Sequence, residues 1–146
     1  MDKKLVRAAT VLVLAVFLIP AGMTGALAMD SNGKFFAYGV GQMSCEDYVK
    51  LREKRSETLE KQEPYTKDEL YEIVDKVIDY WIAGFLTAHN FYVTDTYDLA
   101  GNVKMEELKA RVEKICRADT KQYFAKAMIT LSQEMNPQRV KAAPAK

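Results

Sequence analysis

Hydrophobic residues follow two patterns along this chain: one unbroken apolar run near its start, and four later stretches in which apolar residues recur every three or four positions. Spacings of three and four place side chains on one face of an α-helix. The alternation with a period of two that marks a half-buried strand does not compete with this pattern. The sequence therefore predicts an all-α fold, a small four-helix bundle.

Pairs of capping residues mark the starts of the first two helices. Ser44 stands three positions before Asp47, and Thr66 stands three positions before Glu69. At this spacing a hydroxyl and a carboxylate satisfy the first free amides of a helix. The charged run at residues 52–63, with opposite charges three or four positions apart, is expected to extend the first helix into solvent. The apolar face of the first helix consists of Cys45, Tyr48, Val49 and Leu51.

The second helix has the longest apolar stripe. We expect it to begin at Lys67, to end at about Asn90 and to carry most of the core. Gly84 in its middle costs up to ~1 kcal/mol relative to alanine, which suggests the close packing of another element. The stripe comprises Leu70, Ile73, Val74, Val77, Ile78, Trp81, Ile82, Phe85 and Leu86.

Two shorter helices follow a long loop at residues 91–101. Asn102 is the expected N-cap of the third helix, and either Asp119 or Thr120 is that of the fourth, which Pro137 ends. The helical domain then spans residues 44–136, between an irregular lead-in at residues 29–43 and a disordered basic tail at residues 137–146. The two stripes are Met105, Leu108, Val112, Ile115 and Cys116, and then Phe124, Ala127, Met128, Leu131 and Met135.

The N-terminal apolar run is typical of a signal peptide. Three basic residues within the first seven positions precede the run at residues 8–19, and small residues at 26–28 mark a cleavage site between Ala28 and Met29. Residues 24–26 offer a second site. An uncleaved membrane anchor is the alternative, but about a dozen apolar residues fall short of the ~20 that span a bilayer. We therefore expect export to the periplasm and no stable membrane anchor after cleavage.

Removal of residues 1–28 leaves 118 of the 146 residues, which is enough for one domain. Three basic residues and one acidic residue are lost, so that 21 and 20 become 18 and 19. The resulting net charge near −1 lacks the basic surface that proteins use to bind nucleic acid.

Cys45 and Cys116 are the only cysteines of the chain. In an oxidising compartment they predict one disulfide between the first and third helices. Such a bond, closing a loop of about 70 residues, stabilises a fold by on the order of 4 kcal/mol in the chain-entropy model. Two free buried thiols are the alternative.

The chain offers few groups for catalysis. His89 is the single histidine, which excludes a multi-histidine metal centre; it is either a structural residue at the end of the long helix or a proton switch. Asp95 and Asp98 either form turns or help to bind a cation, although no calcium-loop spacing surrounds them. Phosphate-loop, nucleophile-elbow and zinc spacings do not occur. We therefore expect no enzyme activity, no metal and no cofactor, with an exported enzyme subunit that lacks a catalytic group as an alternative.

Five aromatic residues are candidates for protein binding. Trp81 and Phe85 either belong to the core or bind apolar clients when the bundle opens. Phe91, Tyr92 and Tyr97 either anchor a partner or pack back onto the bundle. The expected partners are other proteins, either unfolding clients or one specific periplasmic protein, with a homodimer as a further alternative.

The segment Ser44-Cys45-Glu46-Asp47-Tyr48-Val49-Lys50-Leu51, followed by Trp81 on a central helix and then by Cys116 and Phe124, resembles the HdeA/HdeB family of periplasmic acid-stress chaperones. The order of elements matches over roughly residues 43–132. The resemblance implies a holdase that opens at low pH and offers its apolar stripes to unfolding proteins. The composition permits this behaviour, because protonating the 19 carboxylates leaves 18 Lys and Arg charges largely uncompensated.

The segment Trp81-Ile82-Ala83-Gly84-Phe85 is similar to one in Tai-type amidase immunity proteins of type VI secretion, which are also small, helical and periplasmic. This second likeness implies a different function, that of an inhibitor or immunity-type module that binds and neutralises one partner protein.

Overall fold

The structure is a computed structural model that describes residues 30, 32, 34–54 and 64–145. The predicted signal peptide with its cleavage site at Ala28 and Met29, and the charged run at residues 55–63, lie outside the described residues. Residues 36–146 form one compact unit, to which everything below refers.

Four α-helices account for most of this unit. They are α1 (Cys45–Arg52), α2 (Lys67–Tyr92), α3 (Met105–Ala118) and α4 (Phe124–Met135), with short 3₁₀ turns at Gly39–Gln42 and Asn136–Gln138. Extended pairing in the described residues is limited to two isolated bridges, Ser44 with Tyr123 and Asp98 with Val140. The predicted all-α class is confirmed. Among the described helices, none combines the length and the apolar character that a membrane crossing needs.

The predicted disulfide joins α1 to α3. Cys45 and Cys116 are bonded, with their Cα atoms 4.8 Å apart, and both side chains are fully buried. Backbone hydrogen bonds reinforce this end of the bundle, since the amides of Cys45 and Glu46 donate to the carbonyls of Gln122 (2.9 Å) and Thr120 (3.0 Å). The start of α1 is therefore attached to the connection between α3 and α4 by covalent and hydrogen bonds together.

The core is built mainly by α4 and not by the long helix. Seven residues of α4 are buried, whereas α2 buries only Ile78 and Ile82. The expectation that the second helix carries most of the core is therefore wrong. The apolar stripe of α2 is wider than the surface that α1, α3 and α4 offer to it, so that Ile73 and Val77 stay 45% and 47% exposed.

Gly84 does not mark a close approach, contrary to the prediction. A Cβ at this position would meet no described atom within 4 Å, and the residue is exposed. The close approach occurs instead at Gly41, where a Cβ would lie 2.6 Å from Cζ2 of Trp81 and 2.8 Å from Cβ of Ala37. The indole Nε1 of Trp81 also donates to the carbonyl of Tyr38 at 3.0 Å. The lead-in therefore packs onto α2 through the face of Trp81.

Both predicted N-terminal caps of the first two helices are confirmed. The amide of Asp47 donates to Ser44 Oγ (3.0 Å), and Thr66 with Glu69 forms a complete capping box. The expected extension of the first helix is wrong within the described residues, because α1 ends at Arg52 and Lys54 adopts a φ of +53°.

The other helix ends differ from the prediction. Helix α2 continues to Tyr92, so Phe91 and Tyr92 are helical. The N-caps of α3 and α4 are Lys104 and Tyr123, and not Asn102, Asp119 or Thr120. Neither helix is capped by its N-cap side chain; at α4 the amide of Phe124 donates to the Met43 carbonyl (2.8 Å), so a tertiary contact satisfies it.

The C-terminal segment is ordered beyond the last helix, so the prediction of a disordered tail from residue 137 is wrong. Val140 exchanges backbone hydrogen bonds with Asp98 (2.8 and 3.0 Å), and Arg139 Nε donates to the carbonyl of Asp95 (3.1 Å). Two bridging hydrogen bonds and one guanidinium contact therefore attach this segment to the loop that follows α2.

We predict that Gly41→Ala destabilises the fold by about 1–3 kcal/mol, because the new methyl group overlaps the indole of Trp81. Urea unfolding of Gly41→Ala, Trp81→Phe and the double variant measures the coupling. The smaller phenylalanine ring of Trp81→Phe leaves room for the methyl group, so the cost of Gly41→Ala should fall by about 1 kcal/mol in that background. Equal costs in both backgrounds would contradict the contact.

Candidate functional site: a buried ammonium between α2 and α3

Lys109 is a charged residue in the core of the bundle. Its side chain is 0% exposed, and its Nζ lies 2.7 Å from Asp75 Oδ2, 2.9 Å from Asp79 Oδ1 and 2.5 Å from Glu106 Oε1. Asp75 and Asp79 belong to α2, whereas Glu106 belongs to α3. The ammonium therefore joins the long helix to the disulfide-linked part of the molecule.

Helical spacing brings these groups together. Asp75 and Asp79 are four residues apart on α2, beside the buried Ile78, and Glu106 precedes Lys109 by three residues on α3. Such pairs lie next to each other on a helix surface. Lys109 follows Leu108 and precedes Val112 by three positions, which turns its stem into the apolar interface. The side chain consequently has no path to solvent and meets carboxylates instead.

Arg52 extends the cluster to α1. Its guanidinium lies 3.3 Å from Glu106, 3.4 Å from Glu113 and 3.7 Å from Asp75. Arg117 continues the network, since its Nη2 contacts Glu53 at 2.7 Å and Glu113 at 2.6 Å. Charges from α1, α2 and α3 thus form one connected group, which we call the Lys109 cluster.

The surroundings of the cluster favour its charged state. The hydrogen bond from Lys109, together with the charges of Lys109 and Arg52, holds the pKa of Glu106 below its ordinary value. Burial works to lower the pKa of Lys109, but hydrogen bonds to Asp75, Glu106 and Asp79 outweigh it and raise that pKa overall. Lys109 therefore stays protonated at every acid pH, and the carboxylates decide how the cluster responds to acid.

A cleft of about 300 Å³ opens beside the cluster, between α1 and α2. Leu51, Val74 and Ile78 form its apolar wall, and Asp75, Arg52 and Glu106 form its charged wall. Glu106 and Asp75 keep 69% and 40% of their side-chain surface exposed. Protons from solvent therefore reach the carboxylates, although Lys109 itself is buried.

The three carboxylates around Lys109 have the spacing of a cation site, with ligand oxygens within 4.8 Å of one another. The Lys109 ammonium lies among them and neutralises their charge. The arrangement therefore uses carboxylates to hold a side-chain cation.

Trp81 and Phe85 lie against the core. Their rings stack with centroids 5.8 Å apart, and Trp81 meets Phe124 edge-on at 5.5 Å. Phe91 and Tyr92, in contrast, are 80% and 81% exposed at the end of α2, and Tyr97 is exposed in the following loop. The alternative that these three pack back onto the bundle is wrong. The five candidates thus form two separate groups, one inside the fold and one on its surface.

His89 is half-buried near the end of α2, where burial and the charge of Arg139 hold its pKa below the ordinary value. Asp98 forms a turn, since its Oδ1 accepts from the amide of Ala100 at 3.0 Å. Asp95 adopts a φ of +57° and binds Arg139 through its carbonyl. The structural interpretation of these two aspartates therefore fits their contacts.

Sequence reasoning missed Arg52, Asp75, Asp79 and Lys109. A usable signal exists, because Lys109 interrupts the apolar face of its helix between Leu108 and Val112, and Asp75 with Asp79 borders Ile78 on the helix expected to pack there. Charges of opposite sign on two facing apolar stripes predict a buried ion pair.

We predict that Lys109→Met lowers the free energy of unfolding at neutral pH by about 1–3 kcal/mol, because Asp75, Asp79 and Glu106 then repel one another. Glu106, whose pKa is lowered by folding, stabilises the native state above its ordinary pKa and loses that contribution as the pH falls through the folded value. The variant lacks this contribution, so its stability should depend less on acid than that of the unaltered protein. Urea unfolding across the acid range measures both effects.

Arg111→Met is the matched control, since Arg111 forms an exposed ion pair with Glu107 on the same helix. Such pairs contribute about 0–1 kcal/mol. An acid dependence that is the same in Lys109→Met and in the unaltered protein would contradict the role of the cluster.

Comparison of the chain with protein-family models, with curated proteins and with solved structures finds no match.

Proposed function

We propose that this protein is an exported periplasmic stress chaperone of the HdeA/HdeB kind, a holdase that binds unfolding proteins after acid opens its bundle. It acts by binding and carries out no reaction, and it needs no metal or cofactor. The observation that carries the proposal is the Lys109 cluster, which attaches α2 to the rest of the bundle through groups that acid neutralises.

Acid acts on the cluster in one direction. Protonation of Asp75, Asp79 and Glu106 removes their negative charge and leaves the buried ammonium of Lys109 without compensation, a state that costs several kcal/mol. His89 adds to the effect, because a pKa lowered by folding stabilises the native state above its ordinary value and penalises it as the pH falls below that value. Both changes weaken the contact between α2 and α3.

Opening along α2 releases a large apolar surface. The inner face of the helix contains Ile78, Trp81, Ile82 and Phe85, and the surface it leaves contains Phe124. Helices α1 and α3 stay connected by the Cys45–Cys116 bond. A chain with one covalent tie can therefore expose apolar faces without losing all of its structure, and it can close again when the pH rises.

The periplasmic location is supported by the sequence of residues 1–28 alone, and the disulfide agrees with an oxidising compartment. The acid-stress assignment draws on the resemblance in the segment that begins at Ser44.

The alternative function is a specific inhibitor or immunity-type module. The exposure of Phe91, Tyr92 and Tyr97 favours it, because large exposed aromatic residues are common anchors of protein interfaces. The loop that carries Tyr97 is braced by Val140 and Arg139, so it presents these side chains in a fixed arrangement. In this case the folded protein binds its partner at neutral pH.

The two functions are separated by an aggregation assay with an enzyme that aggregates in acid, carried out at neutral pH and at about pH 3. The chaperone proposal predicts that light scattering by the client is suppressed only in acid, at near-stoichiometric amounts. Lys109→Met should suppress aggregation less sharply with pH, whereas Arg111→Met should behave as the unaltered protein.

The double substitution Tyr92→Ala with Tyr97→Ala is the second arm of this test. It leaves the inner face of α2 intact, so acid-dependent suppression should remain. A protein that fails to suppress aggregation at any pH contradicts the chaperone proposal. Capture of one periplasmic protein at neutral pH that is lost in the double variant would support the alternative instead.

A further inference from the structure

The outer face of α2 carries a regular apolar seam. Its positions follow one another in steps of four, three, four, three and four residues, the spacing at which one helix packs along another. In addition to the exposed Ile73 and Val77, Tyr80 is 74% and Phe91 is 80% exposed. The seam consists of Ile73, Val77, Tyr80, Gly84, Thr87 and Phe91.

The second half of α2 has almost no charge on any side. From Tyr80 to Tyr92 the only side chain that gains charge near neutral pH is His89. A helix that is apolar all round is normally buried, yet Ile82 is the one residue of this stretch that is buried in the described structure. The contrast indicates that a further protein surface covers the seam in solution.

We propose that the seam packs against the seam of a second copy of this chain, as an antiparallel helix pair with its two-fold axis between Tyr80 and Gly84. In this register Tyr80 faces Gly84 of the partner copy, Ile73 faces Phe91, and Val77 faces Thr87. Each large side chain meets a smaller one, and the open space around Gly84 receives the Tyr80 ring. The same surface is used by both copies, as a two-fold dimer requires.

The charges of α2 select the antiparallel arrangement. Its first half contains five acidic residues and two lysines, while its second half is uncharged apart from His89. A parallel pair would set the two acidic halves side by side. The antiparallel pair sets each acidic half against the uncharged half of the other copy and also opposes the two helix dipoles.

The surface is large enough for a specific dimer. Four aromatic side chains, Tyr80 and Phe91 from both copies, bury about 150–250 Å² each when fully covered, and most of that area is exposed in one copy. Together with Ile73, Val77 and the helix surface around Gly84, the pair reaches on the order of the 1,000 Å² that marks a specific interface. This inference does not rest on the proposed function, because it concerns the folded protein at neutral pH without a client.

Analytical ultracentrifugation of the purified protein over a range of concentrations tests the association. We expect a monomer–dimer equilibrium whose dissociation constant rises roughly tenfold or more in Val77→Lys. Gln133→Lys, an exposed position on α4, is the control and should leave the equilibrium unchanged. A protein that is monomeric at all concentrations, or a dimer that tolerates Val77→Lys, overturns the proposal.

Gly84→Leu separates association from folding. Leucine improves the helix by removing a glycine, so the circular dichroism of the monomer should hold or increase while dimerisation weakens. Oxidative crosslinking then tests the register: Val77→Cys mixed with Thr87→Cys should give a mixed disulfide dimer, and each variant alone should give little. Strong crosslinking of Val77→Cys with itself would indicate a parallel pair and overturn the arrangement.

Discussion

Burying an ammonium group costs several kcal/mol unless carboxylates surround it, and this constraint fixes how the long helix lies in the bundle. Lys109 has no exposed surface, and two of its three carboxylate partners come from α2. The helix cannot slide or rotate along α3 without separating Asp75 and Asp79 from the charge that they neutralise. The contacts of Ile78, Ile82 and Trp81 with the core follow from the position that the ion pairs impose.

The molecule therefore combines two kinds of attachment. Helices α1, α3 and α4 are connected by the Cys45–Cys116 bond, by backbone hydrogen bonds around Tyr123 and by the densely buried face of α4. Helix α2 is attached by the Lys109 cluster and by a narrow apolar contact. Acid leaves the first set of interactions largely unchanged and weakens the second, which is the physical basis of the proposed chaperone function.

The sequence predicted the parts of the fold that depend on local chemistry. The caps at Ser44 and Thr66, the helical periodicity and the cysteine pair each depend on residues within one or two turns or on a single possible pairing. The N-caps of α3 and α4 were missed because tertiary backbone contacts, such as that from Phe124 to Met43, replaced side-chain capping. The role of Gly84 was misread because an apolar stripe does not reveal how much of it another element covers.

The Lys109 cluster was missed for a related reason. A lysine beside an apolar stripe can reach solvent by extending its stem, and only the packing of α2 over α3 closes that route. The apolar stripe of α2 was correctly identified as a feature, but its division between an inner face with Ile78 and an outer seam with Val77 depends on the width of the neighbouring surface. Such widths are properties of the assembled bundle.

Hydrogen exchange of the unaltered protein at neutral pH and at about pH 3, followed by mass spectrometry, tests the central claim most directly. The amides of residues 74–86 in α2 should lose protection in acid, beyond the change in intrinsic exchange rate, while those of residues 108–116 in α3 keep theirs. Loss of protection in both segments at the same pH, or protection of α2 that persists in acid, would contradict an account in which Lys109 and its carboxylates hold the long helix in place.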